Sequence, residues 1–299
     1  MKSYCLLTSC VTAALLLASG APLRAEKPSP AKTFDVQAVR DVPYYDGDDA
    51  DKTKHKLDLY LPKGQKDFPV LFFVHGGAWM TGDKNFFGVY SSFGKQFARH
   101  GIGAVVTNYR LSPGVQHPEH IKDVARAFAW THKNIAGYGG RPAHIFLCGH
   151  SAGAHLVALL ATDATYLKAV GESLSAIRGV IPISGVYQVP DKLLSSVFGK
   201  SPEVHKKASP IMHVRKDAPP FLILYADNDF PTCDFMSERF GKALKAKKAE
   251  AKTVEIKKRN HVTIILSASG DGDPVAREIL DFIDHRTADT FRASATGRQ

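Results

Sequence analysis

Ser151 stands at the centre of Gly149-His150-Ser151-Ala152-Gly153, between an apolar run at 143–148 and an Ala/Leu-rich stretch at 151–162. A serine hydroxyl is a weak nucleophile until a base takes its proton, so chemistry here needs a histidine and a group to orient it. The spacing G-x-S-x-G suits a sharp strand-to-helix turn that lifts the hydroxyl above a sheet. Glycines flank it because side chains at 149 and 153 would collide across the turn. A helix starting behind Ser151 brings partial positive charge to the place where an oxyanion would form. A second motif, His75-Gly76-Gly77-Ala78-Trp79, follows the apolar run at 69–74. Its glycines let backbone amides turn inward with no Cβ in the way. The amides of Gly76, Gly77 and Ala152 are therefore candidates for an oxyanion hole. Either motif alone is common. Together, each after its own buried strand, they point to acyl transfer.

Those motifs need a sheet to hold them. Residues 56–61 alternate polar and apolar, as a half-buried strand does. Residues 69–74 (PVLFFV) and 143–148 are continuous apolar runs, typical of strands covered on both faces. Further strands are predicted at 102–107, 179–183, 221–225 and near 252–257. Helices are predicted at 89–100, 118–135, 151–162, 234–248 and 274–286. On the second, Ile121, Val124, Ala125 and Phe128 share one face. Asp273 and Pro274 read as N-cap and first turn of the last. Strand–helix alternation implies one α/β domain with a mainly parallel sheet. The least regular stretch, 184–220, holds five prolines and is expected to be a lid or an insertion over the sheet edge.

HGGAW at 75–79, NYRLSP at 108–113 and GHSAG at 149–153 together resemble the α/β-hydrolase fold. More narrowly they resemble the esterase/lipase branch that includes hormone-sensitive-lipase-like carboxylesterases, feruloyl-esterase-like proteins and kynurenine formamidases. The resemblance spans roughly residues 40–285. It implies a triad in the chain order serine, acid, histidine. The related acid motif is HG-x-x-D. Residues 225–229 read YADND, so Tyr225 and Ala226 replace the His-Gly pair and Asp229 falls on the acid. Asp227 competes two residues earlier, or merely caps the turn. The resemblance places the base at His261, ahead of the short apolar run 262–266. His75 and His150, inside the motifs, are expected to support their turns. The implied activity is that of a serine carboxylesterase acting on small-molecule esters of short-chain or aryl acids, with no cofactor. An amide-directed hydrolase on the same triad and a catalytically silent binding protein are the alternatives. Trp79, Tyr187 and Phe230 lie where they could border a substrate pocket, or could equally be ordinary core.

The rest of the chain narrows the function classes. The 299 residues carry a net charge of +10 and only four cysteines, too few for a disulfide scaffold. Eight cations and two anions fall within 242–259, but no aromatics interleave them as a base-stacking surface needs. A solvated face, rather than nucleic-acid binding, is expected there. No HExxH or CxxC is present, His117-x-x-His120 alone is weak, and 46–51 (DGDDAD) has Asp where a calcium loop requires glycine, with Leu57 where its closing glutamate belongs. Lys2, an apolar run over 4–18 and small residues at 18–21 have the three-part shape of a secretory signal. That run is too short for a comfortable membrane span. The expected organisation is a signal peptide at 1–21, a flexible segment at 22–40, one α/β-hydrolase domain at 41–287 and a flexible tail at 288–299. The chain is expected to be exported, without stable membrane insertion. Two cysteines, Cys148 and Cys233, remain after removal of the leader and are expected to be buried thiols. The oligomeric state is not legible in the sequence.

Overall fold

The computed structural model describes residues 33–190 and 194–296. The proposed leader, with Cys5 and Cys10, lies outside them. Eight strands form one sheet: β1 (Val36–Pro43), β2 (Lys56–Pro62), β3 (Phe68–Val74), β4 (Gly103–Thr107), β5 (Gly140–His150), β6 (Gly179–Ile183), β7 (Phe221–Asn228) and β8 (Ala251–Asn260). Their spatial order is β1-β2-β4-β3-β5-β6-β7-β8. β2 runs antiparallel to both β1 and β4, and every other pairing is parallel. The helices are α1 (Val89–Arg99), α2 (Glu119–Asn134), α3 (Ala152–Thr162), α4 (Ala164–Lys168), α5 (Ser195–Phe198), α6 (Pro202–Lys207), α7 (Cys233–Ala246), α8 (Thr263–Leu266) and α9 (Pro274–Thr296).

The apolar runs become the sheet's centre because they have two faces to bury. In β3, Leu71 and Phe73 join the core beneath α1 and α9, while Val70, Phe72 and Val74 join the core beneath α2 and α3. A period of two divides one continuous apolar run between two layers. The result is the α/β-hydrolase fold. Among the described residues no helix is long and apolar enough to cross a membrane.

Three features differ from expectation. The segment expected to be flexible at 22–40 contains most of β1, which pairs with β2 from Val36 to Pro43. Its residues are half-buried or exposed at the sheet edge, so no apolar run announces it. The tail expected at 288–299 is helical as far as Thr296, because no glycine or proline interrupts the chain before Gly297. α9 does begin as expected, with Asp273 Oδ1 accepting the Val275 N–H at 2.8 Å. The 184–220 segment carries α5 and α6 and is fastened to the body. His117 N–H donates to the Val197 carbonyl at 2.8 Å, and Val197 and Phe198 are buried. The basic stretch 242–259 falls on the end of α7 and on β8, the sheet's edge strand, where exposed lysines discourage pairing with another chain. Cys148 and Cys233 are free, buried thiols.

Candidate active site

The site assembles where parallel strands end. His75 to Gly77 follow β3, Ser151 follows β5, Asp229 follows β7 and His261 follows β8. In open α/β sheets this carboxyl edge is where ligands bind.

Ser151 has φ 56° and ψ −115°, a conformation that side chains rarely adopt. The surrounding packing enforces it. A Cβ at Gly149 would lie 2.5 Å from the Gly153 backbone, and one at Gly153 would lie 2.0 Å from the Val74 carbonyl. Gly149 thus lets the end of β5 close on α3, and Gly153 lets α3 close on the end of β3. Ser151 Oγ lies 2.9 Å from His261 Nε2, and His261 Nδ1 lies 2.6 Å from Asp229 Oδ1. The carboxylate can only accept, so Nδ1 carries the proton and Nε2 is left to accept from the serine hydroxyl.

Asp229 is tied down by more than the imidazole. Ser184 Oγ donates to its Oδ2 at 2.5 Å, and the amides of Ala226 and Phe230 donate at 3.1 and 2.8 Å. Burial pushes the Asp229 carboxyl up, but His261, Ser184 and the Ala226 amide outweigh it and hold it at about 2. Asp227 is exposed and accepts the amides of Lys258 and Arg259, which secures the irregular end of β8. It is the turn-capping carboxylate, and Asp229 is the one that meets His261. Cys233 sits beside them, with ligand atoms of Asp229, Cys233 and His261 within 4.8 Å of one another. Burial and the Asp229 charge push that thiol up to about 12.

The two motif histidines serve the backbone. His150 Nε2 lies 2.8 Å from the His261 carbonyl, to which it donates, fixing the main chain that carries His261. Burial, then the neighbouring His261, pushes His150 down to about 3, so it is neutral. His75 Nδ1 donates to the Gly76 carbonyl at 2.7 Å, and burial pushes that ring down to about 4.

The glycine turn after β3 is strained in a useful direction. Gly77, Ala78 and Trp79 have φ of 116°, 52° and 58°. Successive residues of this kind present amides on one concave side, which suits an anion. The Gly77 carbonyl accepts from the amides of Met80 and Thr81 and from the Thr81 hydroxyl. The Gly77 amide makes no hydrogen bond among the described residues. Ala152, first residue of α3, has an N–H without an intrahelical acceptor. Gly76 differs from expectation: its N–H donates to the Tyr90 hydroxyl at 3.1 Å and is already engaged.

A cleft of about 340 Å³ opens over Ser151 and His261. Beyond the glycines and His150, its wall is largely apolar, with Phe86, Val89, Phe230, Val262, Ile265 and Leu266. Phe230 is 58% exposed and stacks on His261, ring centroids 4.0 Å apart. The other two proposed pocket aromatics lie elsewhere. Trp79 is buried against Phe198 and donates its indole N–H to His155 Nδ1 at 3.3 Å, because the left-handed turn swings it into the core beside α3. Tyr187 is buried and stacked on Phe240, and it borders a separate cavity of about 260 Å³. No described residue of 184–220 lines the cleft. Among the described residues of that segment, Ser184 bonds the Asp229 carboxylate, and sequence reasoning missed it. A lone serine at a strand end carries no motif. Tyr90, in the first turn of α1, was missed for the same reason.

The fold and this glycine-and-serine edge define an α/β-hydrolase. The chain belongs to the BD-FAE family, whose model matches residues 57–244. It is 33% identical over 278 residues to Esterase LipQ of Mycobacterium tuberculosis, covering 86% of this chain and 64% of that protein. It is 30% identical over 277 residues to isoprenylcysteine alpha-carbonyl methylesterase ICME of Arabidopsis thaliana, covering 84% and 63%. The chain thus spans less than two thirds of the length of these curated relatives. Among solved structures, an inhibited Esterase B of Lactobacillus rhamnosis superposes with a TM-score of 0.76 at 22% identity, over 87% of this chain and 90% of that one.

Proposed function

We propose that this chain is a serine carboxylesterase that hydrolyses short-chain or aryl carboxylic esters. The observation that carries this is the unbroken hydrogen-bonded chain Asp229–His261–Ser151 opening onto a mostly apolar cleft. Ser151 Oγ attacks the ester carbonyl as its proton passes to His261 Nε2. The carbonyl π pair moves onto oxygen, and that oxyanion is bound by the amides of Gly77 and Ala152. When it collapses, the C–O bond to the alcohol breaks and His261 returns the proton to the leaving oxygen. Water then attacks the acyl-enzyme with His261 again as base, freeing the acid and restoring the serine. Asp229 holds the imidazole tautomer and stabilises the imidazolium that forms at each step. The names of the similar esterases agree with this chemistry. Residues 1–21 are proposed to direct export and to be removed.

The experiment is hydrolysis of p-nitrophenyl acetate, butyrate and octanoate by the mature chain beside Ser151→Ala. Turnover that falls by about 10⁴-fold or more in the variant is expected. A folded wild type that turns over none of the three esters would refute the esterase reading.

A further inference from the structure

The Gly76 amide is spent on a side chain, and that side chain is in the cleft. Tyr90 lines the same cavity as Ser151, His261 and Gly77. It is 6% exposed, and its ring packs against Phe73, with centroids 5.3 Å apart, and near His75 at 6.0 Å. Its hydroxyl oxygen accepts the Gly76 N–H at 3.1 Å. A phenol hydroxyl has one proton to give as well as lone pairs to receive. Among the described residues that proton has no acceptor. Because Tyr90 lines the cleft, an acceptor placed there can take that proton. Here the missing acceptor is one the reaction would supply.

We propose that Tyr90 is a catalytic residue, whose hydroxyl donates its proton in a hydrogen bond to the oxyanion formed when Ser151 attacks the substrate carbonyl. The proposal rests on the esterase reading and extends it. Gly76 then acts at one remove. Its N–H, given to the Tyr90 oxygen, polarises the O–H bond and makes the phenol a stronger donor, as hydrogen bonds in series do. The Gly76 backbone is also close to the nucleophile, since a Cβ there would sit 3.2 Å from Ser151 Cβ. The phenol therefore hangs from the residue that packs against Ser151. Burial raises the Tyr90 phenol above its ordinary range, outweighing the Gly76 amide, so the hydroxyl keeps the proton it has to donate. The hydroxyl gives no atom up: it accepts one hydrogen bond, donates another, and is unchanged when the oxyanion collapses. Relative to a hole of amides alone, this adds a donor on a side chain held by ring packing, pre-positioned before substrate arrives.

The test is Tyr90→Phe, which removes one atom and keeps the ring. Rates with p-nitrophenyl acetate are divided by the concentration of Ser151 that a fluorophosphonate titrates, so that misfolded molecules do not count. A fall in kcat of about 10- to 1000-fold with KM changed less than about threefold is expected. Inhibition by phenylboronic acid, whose serine adduct is tetrahedral and anionic, is expected to weaken in parallel. A merely structural role would move neither the kcat-to-KM split nor the boronate constant per titrated site. Wild-type kcat in Tyr90→Phe would overturn the proposal. So would a rise in kcat, which would show that Tyr90 only masks the Gly76 amide. Both of those results leave the esterase reading intact. A wild type without ester turnover refutes that reading itself and takes this one with it.

Discussion

Two histidine–aspartate pairs stand at the same edge of this sheet, His261 with Asp229 and His55 with Asp123. β2 is antiparallel to β4 and begins where β4 ends, with Leu57 opposite Thr107, so His55 just before β2 also lies at the carboxyl edge. The separations are alike, 2.6 Å in the first pair and 2.9 Å in the second. Their surroundings are not. Asp123 is fully enclosed and clamped by Arg110, whose Nε and Nη2 donate to its two oxygens at 2.8 Å each, and Arg126 adds a third contact at 3.3 Å. His55 spends Nδ1 on the Asp51 amide at 2.9 Å, and its Nε2 faces Asp123 without the alignment of a good hydrogen bond. His261 instead keeps Nε2 for a serine held in a strained turn at an open cleft. The pair itself does not make a catalytic site. What sets the proposed site apart is an uncommitted nitrogen, a serine hydroxyl beside it and an open cleft.

The comparison is broken most strongly by neutralising each aspartate in turn. Asp229→Asn is expected to lower kcat by about 10⁴-fold, because the imidazole loses its orienting acceptor, with only about 1–2 kcal/mol lost in urea unfolding. Asp123→Asn is expected to do the reverse. It leaves Arg110 and Arg126 short of a buried partner, costs about 3–5 kcal/mol of stability, and changes kcat per titrated serine less than about threefold. If Asp123→Asn abolished turnover in folded protein, the division of labour between the pairs would be wrong.

Acid sharpens the same contrast on a smaller scale. The folded Asp229 carboxyl sits at about 2, below the value of about 3.9 it has in an unfolded chain. A depressed acid contributes stability that is fully present above the unfolded value and is lost as pH falls through the folded one. The Asp123 carboxyl is likewise lowered, burial pushing it up but His55 and Arg110 outweighing that. Unfolding free energy is therefore expected to fall between about pH 4 and pH 2, and each Asp→Asn variant to flatten part of that fall. Equal slopes in wild type and both variants would show that other carboxylates govern the acid limb.

The contrast also explains what the sequence disclosed. The buried strands announced themselves because β3 to β7 must be apolar on two faces, and GHSAG and HGG because close backbone approach admits only glycine. Ser151, His261 and Asp229 followed from motif and order. What stayed hidden depends on contacts between distant residues. Ser184 reaches Asp229 across 45 positions, and Tyr90 reaches Gly76 across 14. Trp79 was left open between pocket and core because its direction depends on a left-handed turn, which a non-glycine sequence gives no reason to expect. β1 was hidden because an edge strand buries too little to pattern its residues.

Ser184 supplies the finest test of what sets the two pairs apart. Its backbone is itself held at φ 52°, a conformation that aims the hydroxyl at Asp229 from the end of β6. Asp123 is fixed by two guanidinium groups and one amide, whereas Asp229 is fixed by neutral donors, a hydroxyl and two amides beside the imidazole. Removing one neutral donor of several costs about 1 kcal/mol, so Ser184→Ala is expected to lower kcat by roughly three- to tenfold with KM unchanged. The carboxyl, short of one donor, should also titrate higher in the folded state, so the acid-induced fall in stability is expected to begin at the same pH but to end sooner and be smaller than in the wild type. Wild-type kcat in Ser184→Ala would mean that the two amides and the imidazole suffice to hold Asp229, and that the strained serine serves only the turn after β6.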